Sequence, residues 1–184
     1  MAWRGGFLRD PGVRNSLLSL GLSIATFGLL ASARIEAAPL AVWQGTVTWV
    51  VDGDTLHVKP AGAARAHSVR IAQIDAPEIC QPGGEASRQV LRRLALGRQV
   101  TVAGLGHDDY GRELGRIDLA GEDIGLRMVR EGQAWAYRFR SNRGSYEEAQ
   151  RLAQEEKRGL FSAGKAELPR RFRKRHGSCP STFR

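Results

Sequence analysis

From residue 43 to 51 the chain alternates, with Trp43, Gly45, Val47, Trp49 and Val51 on one side and Gln44, Thr46, Thr48 and Val50 on the other. A period of two sustained over this stretch predicts a half-buried strand. A second strand is expected at 55–59, where Leu56 and Val58 share a face, and Asp52-Gly53 between the two reads as a hairpin turn. After a loop at 60–66, "HSVRIAQI" predicts a third strand in which Val69 and Ile71 point one way and Arg70 the other.

The period then changes. Ala86, Val90 and Leu94 stand four apart within 85–96, which predicts a helix stopped by Gly97. Val100 and Val102 mark a fourth strand, and a fifth runs from Glu113 through Leu114, Ile117 and Leu119. A short helix is expected at 123–131, ended by Gly132, and Ser145-x-x-Glu148 is a capping box that opens another helix, stopping at Gly159. The sequence of elements predicts an α+β, mainly β chain: a five-stranded Greek-key barrel of the oligonucleotide/oligosaccharide-binding (OB-fold) type, with about three α-helices. A parallel sheet is set aside because the connections are too short for helical crossovers.

The two ends differ from this middle. Arg4, Arg9 and Arg14 precede an uncharged run at 15–33, and Ala31-Ser32-Ala33 and Ala37-Ala38 offer cleavage sites of small residues. Residues 1–37 are therefore expected to be a signal peptide, with an uncleaved N-terminal membrane anchor as the alternative, because the run is just long enough to span a bilayer. Either way the remainder is expected to work outside the cytoplasm, as a periplasmic or secreted protein or as one anchored on the outer face. The domain is expected at 40–163. A basic tail follows at 164–184, with seven Lys or Arg against one Glu, and is expected to be a solvated or phosphate-attracting arm.

Charge sharpens the picture. The 184 residues hold 28 Lys and Arg against 19 acids, a formal +9, and removing residues 1–33 takes three Arg and one Asp, leaving +7. The surplus does not come from the N-terminal segment, and it points to an anionic partner, nucleic acid or a membrane surface.

Several familiar motifs fail. An EF-hand counted from Asp52 puts Leu56, His57 and Ala63 where a ligand, a Gly and a Glu are required. "GLFSAGK", residues 159–165, has phosphate-loop spacing, but Ala166 replaces the Ser or Thr and the segment ends a helix. The four His and two Cys lack zinc-site spacing, and no Gly-x-Ser-x-Gly elbow is present.

Three blocks survive together: "VVDGDT" at 50–55, "RIAQIDAPE" at 70–78 and "DDYGRELG" at 108–115. In order and spacing they resemble the motif set of the staphylococcal nuclease (thermonuclease) family, over about residues 43–162. The resemblance implies an OB-fold nuclease that hydrolyses phosphodiester bonds of DNA and RNA with calcium (Ca2+) as cofactor and leaves 3′-phosphate ends. It implies Asp54, Asp75 and the backbone carbonyl of Ala76 as calcium ligands. It further implies Glu78 as the residue that activates or orients water, and Arg70 and Arg112 as the pair that grips phosphate. Tyr110 and Tyr137 correspond to nucleotide-contacting tyrosines; packing at the barrel edge is the other reading of Tyr137. Asp52 and Asp108 are read as supporting residues. The loop after Glu78 is shorter than in the best-known member, and Asp109 stands where that member has Lys.

The chemistry agrees with such a set, because oxygen ligands suit calcium and planar, permanently charged guanidinium forks suit a phosphoryl group. Cys80 and Cys179 are expected to pair as a disulfide in an oxidising compartment, with free thiols or a link between chains as the alternatives. A monomer is expected. Competing functional readings are a non-catalytic OB-fold module that binds nucleic acid and a membrane-anchored basic binding protein.

Overall fold

In the computed structural model, residues 41–137, 146–164, 166–177 and 179 are described. The expected signal or anchor at 1–37 and Ser145 of the capping box lie outside the described residues. The chain runs β1 (Ala41–Val50), β2 (Thr55–Pro60), β3 (His67–Ile71), β4 (Ile74–Asp75), α1 (Gly84–Ala95), β5 (Gln99–His107), β6 (Glu113–Leu119), β7 (Glu122–Asp123), α2 (Ile124–Arg130), β8 (Trp135–Ala136), α3 (Glu147–Glu155), a 3-10 turn at Gly159–Phe161 and α4 (Pro169–His176). Strand order in the main sheet is β3-β2-β1-β5-β6-β7, and a further β3–β6 pairing closes five of these strands into a barrel. That closing seam is parallel, Arg70 opposite Leu114, while every other pairing is antiparallel. The fold is the expected OB-like α+β barrel, with one more helix than the sequence pattern predicted among the described residues.

The long β1 pairs with both β2 and β5, so its inward side chains meet those of the whole barrel. Val47, Val50, Leu56, Val58, Val69, Ile71, Val100, Val102 and Ile117 fill the interior, and Ile124 and Met128 of α2 close one end. A second cluster gathers Trp135, Ala153 and Phe161, with Leu160 and Leu168 against it.

Two expectations of facing are corrected. The β1–β2 register slips between Val47 and Trp49, where a bulge leaves Thr48 unmatched. One extra residue inverts the alternation beyond it, so Val50 is buried and Trp49 turns outward. In α1 the buried face is Gly84, Ser87, Val90, Leu91 and Ala95, whereas Ala86 is exposed. The helix is rotated because Ser87 turns inward and its hydroxyl donates to the Gln133 carbonyl at 2.8 Å.

The tail departs most. The segment expected as a solvated arm holds α4, opened by Pro169 and packed through the buried Phe172. Pro at the first helical position suits an amide that has no helical partner there. Phe172 and His176, one turn apart, bring their rings to 4.6 Å.

Candidate functional site

The turn between β1 and β2 delivers the first carboxylate. The amides of Val51 and Asp52 donate to the Thr55 carbonyl at 2.9 and 3.4 Å, and the Asp54 amide donates to Asp52 Oδ1 at 3.0 Å. Asp54 is only 3% exposed. Its Oδ2 accepts from the Ala76 amide at 2.8 Å and its Oδ1 from the Thr55 hydroxyl at 3.0 Å. The carboxylate is thus locked to the segment that carries the second acid.

That segment doubles back after β3. Gln73 takes a left-handed conformation, φ 66°, in the turn that joins β3 to β4, and β4 pairs with β8. Arg70, next to the last residue of β3, meets both acids: Nη1 lies 2.5 Å from Asp54 Oδ1 and Nη2 lies 3.2 Å from Asp75 Oδ1. Asp75 is 5% exposed and pairs across β4–β8 with Trp135. Glu78 follows Pro77 and is half-buried, its amide donating to Gln81 Oε1 at 3.2 Å.

Arg112 arrives from the β5–β6 connection. Asp108 fixes it at three points, accepting from the Arg112 amide at 2.9 Å and from Nε and Nη2 at 2.7 Å each. Arg112 Nη1 donates onward to the Thr55 hydroxyl at 3.2 Å, which ties this loop to the Asp54 turn. Tyr110 is 85% exposed with its ring 5.5 Å from the Arg112 guanidinium, and Tyr137 is 45% exposed. Asp54, Arg70, Ala76, Glu78 and Arg112, with both tyrosines, line one cleft of about 1020 Å³.

A residue unforeseen in the sequence joins them. Arg173, from α4, donates through Nη1 to Glu78 Oε1 at 2.8 Å and Asp75 Oδ1 at 3.2 Å, and through Nη2 to Asp75 Oδ2 at 3.4 Å. Cys179, beyond α4, is bonded to Cys80, with Cα atoms 5.6 Å apart. The expected Cys80–Cys179 pairing was the sequence signal that the tail returns to the body of the protein.

The electrostatics are crowded. Burial, and next the charge of Asp54, push the Asp52 carboxyl up to about 8. Burial also raises the Asp75 carboxyl, against the pull of Arg173 and Arg70. Burial works against the charge of Arg70 too, but Asp54, Asp75 and Asp52 outweigh it and hold the guanidinium proton more firmly than usual. For Asp108 burial opposes ionisation, yet the bonds from Arg112 prevail and hold its carboxyl below the usual range.

Among the described residues no group of three or more His, Cys, Asp or Glu side chains is placed to hold a metal ion. The donor chemistry nevertheless suits a hard divalent cation, because the buried carboxylates of Asp54 and Asp75 and the half-buried Asp52 lie close together and the donors they offer are all oxygen. Chemically, the cleft offers anionic oxygens for a cation, guanidiniums for an anion and a carboxylate at the mouth for a water.

Residues 68–163 match the model of a family described as staphylococcal nuclease homologue. A Haemophilus influenzae protein named an uncharacterized endonuclease is 36% identical over 128 residues, 70% of this chain and 71% of that protein. A Shigella flexneri protein named micrococcal nuclease is 31% identical over 166 residues, 83% of this chain and 94% of its own. An Escherichia coli protein named ParB is 35% identical over 157 residues, 79% of this chain and 87% of its own.

Proposed function

The chain belongs to the staphylococcal nuclease homologue family, and from that premise we propose that its cleft hydrolyses the phosphodiester bonds of DNA and RNA with little sequence preference, using calcium and leaving 3′-phosphate ends. Nuclease activity is the part of this reading that the family and the relatives named nucleases support directly. The calcium requirement and the products are our extension of it. The observation that carries the extension is the buried pair Asp54 and Asp75, bridged by Arg70 in a cleft that also holds Glu78 and Arg112.

A phosphodiester resists water because its own charge repels the nucleophile, so catalysis needs fixed positive charge, a positioned water and support for the charge added on attack. Asp54, Asp75 and the carbonyl of Ala76 would hold the calcium ion, which supplies positive charge beside the phosphate. Arg70 and Arg112 grip the phosphate oxygens. Both are anchored before substrate arrives, Arg70 by Asp54 and Arg112 by Asp108, so little reorganisation is needed. Glu78 orients the attacking water and draws on its proton. As water adds to phosphorus, the bond to the 5′ oxygen breaks, that oxygen takes up a proton from solvent to leave as a hydroxyl, and the phosphate stays on the 3′ side.

The proposal extends to location and state. A monomer exported by residues 1–37 fits the Cys80–Cys179 bond, since disulfides persist in oxidising compartments. Among the described residues no helix is long and apolar enough to cross a membrane.

The purified protein is expected to cut single-stranded DNA in calcium and to stop on chelation. Arg112→Ala should lower turnover by about 100-fold or more while the fold persists. Undiminished cutting by that variant would defeat the assignment.

A further inference from the structure

Arg173 lies outside the three motif blocks, yet it pairs with both Asp75 and Glu78 of the acidic cluster, and two devices put it there. Pro169 and Phe172 of α4 are buried, which seats the helix. The Cys80–Cys179 bond then ties the chain beyond α4 to the loop that follows Glu78. At about 100° per residue, Arg171 projects from the opposite side of α4 and is exposed.

The contacts define what Arg173 can do. Its Nη1 and the Nη2 of Arg70 each lie 3.2 Å from the same oxygen, Asp75 Oδ1. A cation held by Asp75 would therefore meet the Arg173 guanidinium at close range, and two positive charges that near repel strongly in a half-buried site. The same geometry supplies an exit. Because Arg70 and Arg173 flank one oxygen, a phosphate gripped by Arg70 falls within reach of Arg173.

Resting on the calcium-nuclease reading above, we propose that Arg173 is a third arginine of the phosphate site: it rests on Asp75 and Glu78 until calcium takes Asp75, and then passes to the substrate phosphate. Charge stays balanced through the exchange, since the cation replaces the guanidinium on the carboxylates and the guanidinium meets an incoming anion. Release of Glu78 in the same movement frees that carboxylate for water. Calcium and nucleic acid then strengthen each other's binding, because each removes a competitor of the other.

The test uses the full chain with its disulfide intact and compares Arg173→Gln, Arg173→Lys and Arg171→Gln with the parent. Two quantities are measured: calcium affinity by calorimetry without nucleic acid, and KM for a single-stranded DNA oligonucleotide in saturating calcium. Arg173→Gln is expected to bind calcium about 10-fold tighter and to raise KM about 10-fold. Arg171→Gln, an equal charge change on the far side of α4, should move either by less than about 2-fold. Arg173→Lys keeps the charge without the fork, so its calcium affinity should fall between those of the parent and Arg173→Gln. Unchanged or weaker calcium binding by Arg173→Gln overturns the inference, as does a KM no more affected than that of Arg171→Gln. Calcium binding and cutting that are both indifferent to Arg173→Gln overturn it alone. Absence of calcium binding in every protein overturns the calcium reading with it.

Discussion

Gly53 separates what a motif says from why it is there. Asp52-Gly53 reads as a turn that needs a left-handed glycine, but Gly53 is not among the positive-φ residues. The constraint is space: a Cβ at Gly53 would stand 1.9 Å from Ser87 Oγ and 2.8 Å from the Ala76 Cβ. The glycine lets the Asp54 turn press against α1 and Ala76, a partnership spanning distant sequence that local pattern does not encode. Asp108 was legible as a motif residue, whereas its clamp on Arg112 became visible only with geometry. Because bonds from Arg112 lower its folded-state pKa, the stability it contributes is complete above the ordinary aspartate value of about 4 and is lost as pH falls through the lower folded value. Asp108→Asn should cost about 1 kcal/mol at neutral pH, flatten that acid-side decline and raise KM by loosening Arg112. Urea unfolding across pH 2–7 checks the first two; equal slopes in variant and parent would exclude the clamp.

Elements were legible in proportion to the length of their periodic pattern. β2, β3 and β6 carry clear alternation, and α2 sits within the expected 123–131. β4 and β8 are two residues each, too short for any period to register. The bulge at Thr48 hid the outward turn of Trp49, because a strict period of two assumes no inserted residue. α4 was missed because its polar face dominates: in "PRRFRKRH" one Phe supplies the apolar anchor, and the helix depends on packing and on the disulfide. Replacing both cysteines by Ser should lower stability by about 2 to 4 kcal/mol, the usual worth of a disulfide, with about 4.7 kcal/mol the chain-entropy ceiling for a separation of 99 residues. Equilibrium denaturation of the double variant beside the unreduced parent measures it. Coincident curves would mean the bond does not restrain the unfolded chain as argued.

At the scale of the whole molecule, the barrel brings three separated sequence blocks to one cleft. The parallel β3–β6 seam is decisive, since it sets Arg70 beside the strand that follows Arg112. Sequence alone excluded a parallel sheet, correctly for the fold as a whole, but the single parallel β3–β6 pairing is allowed because β4, α1 and β5 lie between its strands and make a connection long enough to cross over. The motif blocks made the cleft legible; the charge surplus made an anionic substrate plausible; α4 folding back with Arg173 was legible in neither. A chain with surplus positive charge, most of it at 164–184, attracts polyanions whether or not it cuts them, so binding alone does not identify the activity. The most direct test is cleavage of single-stranded DNA by the parent and by Glu78→Gln, in calcium and in chelator, with oligonucleotide binding measured alongside. The account predicts cutting by the parent that calcium switches on, a fall of about 100-fold or more in kcat for Glu78→Gln, and binding retained by both. A parent that binds DNA without cutting it in calcium, or a Glu78→Gln protein that cuts at the parent's rate, would contradict it.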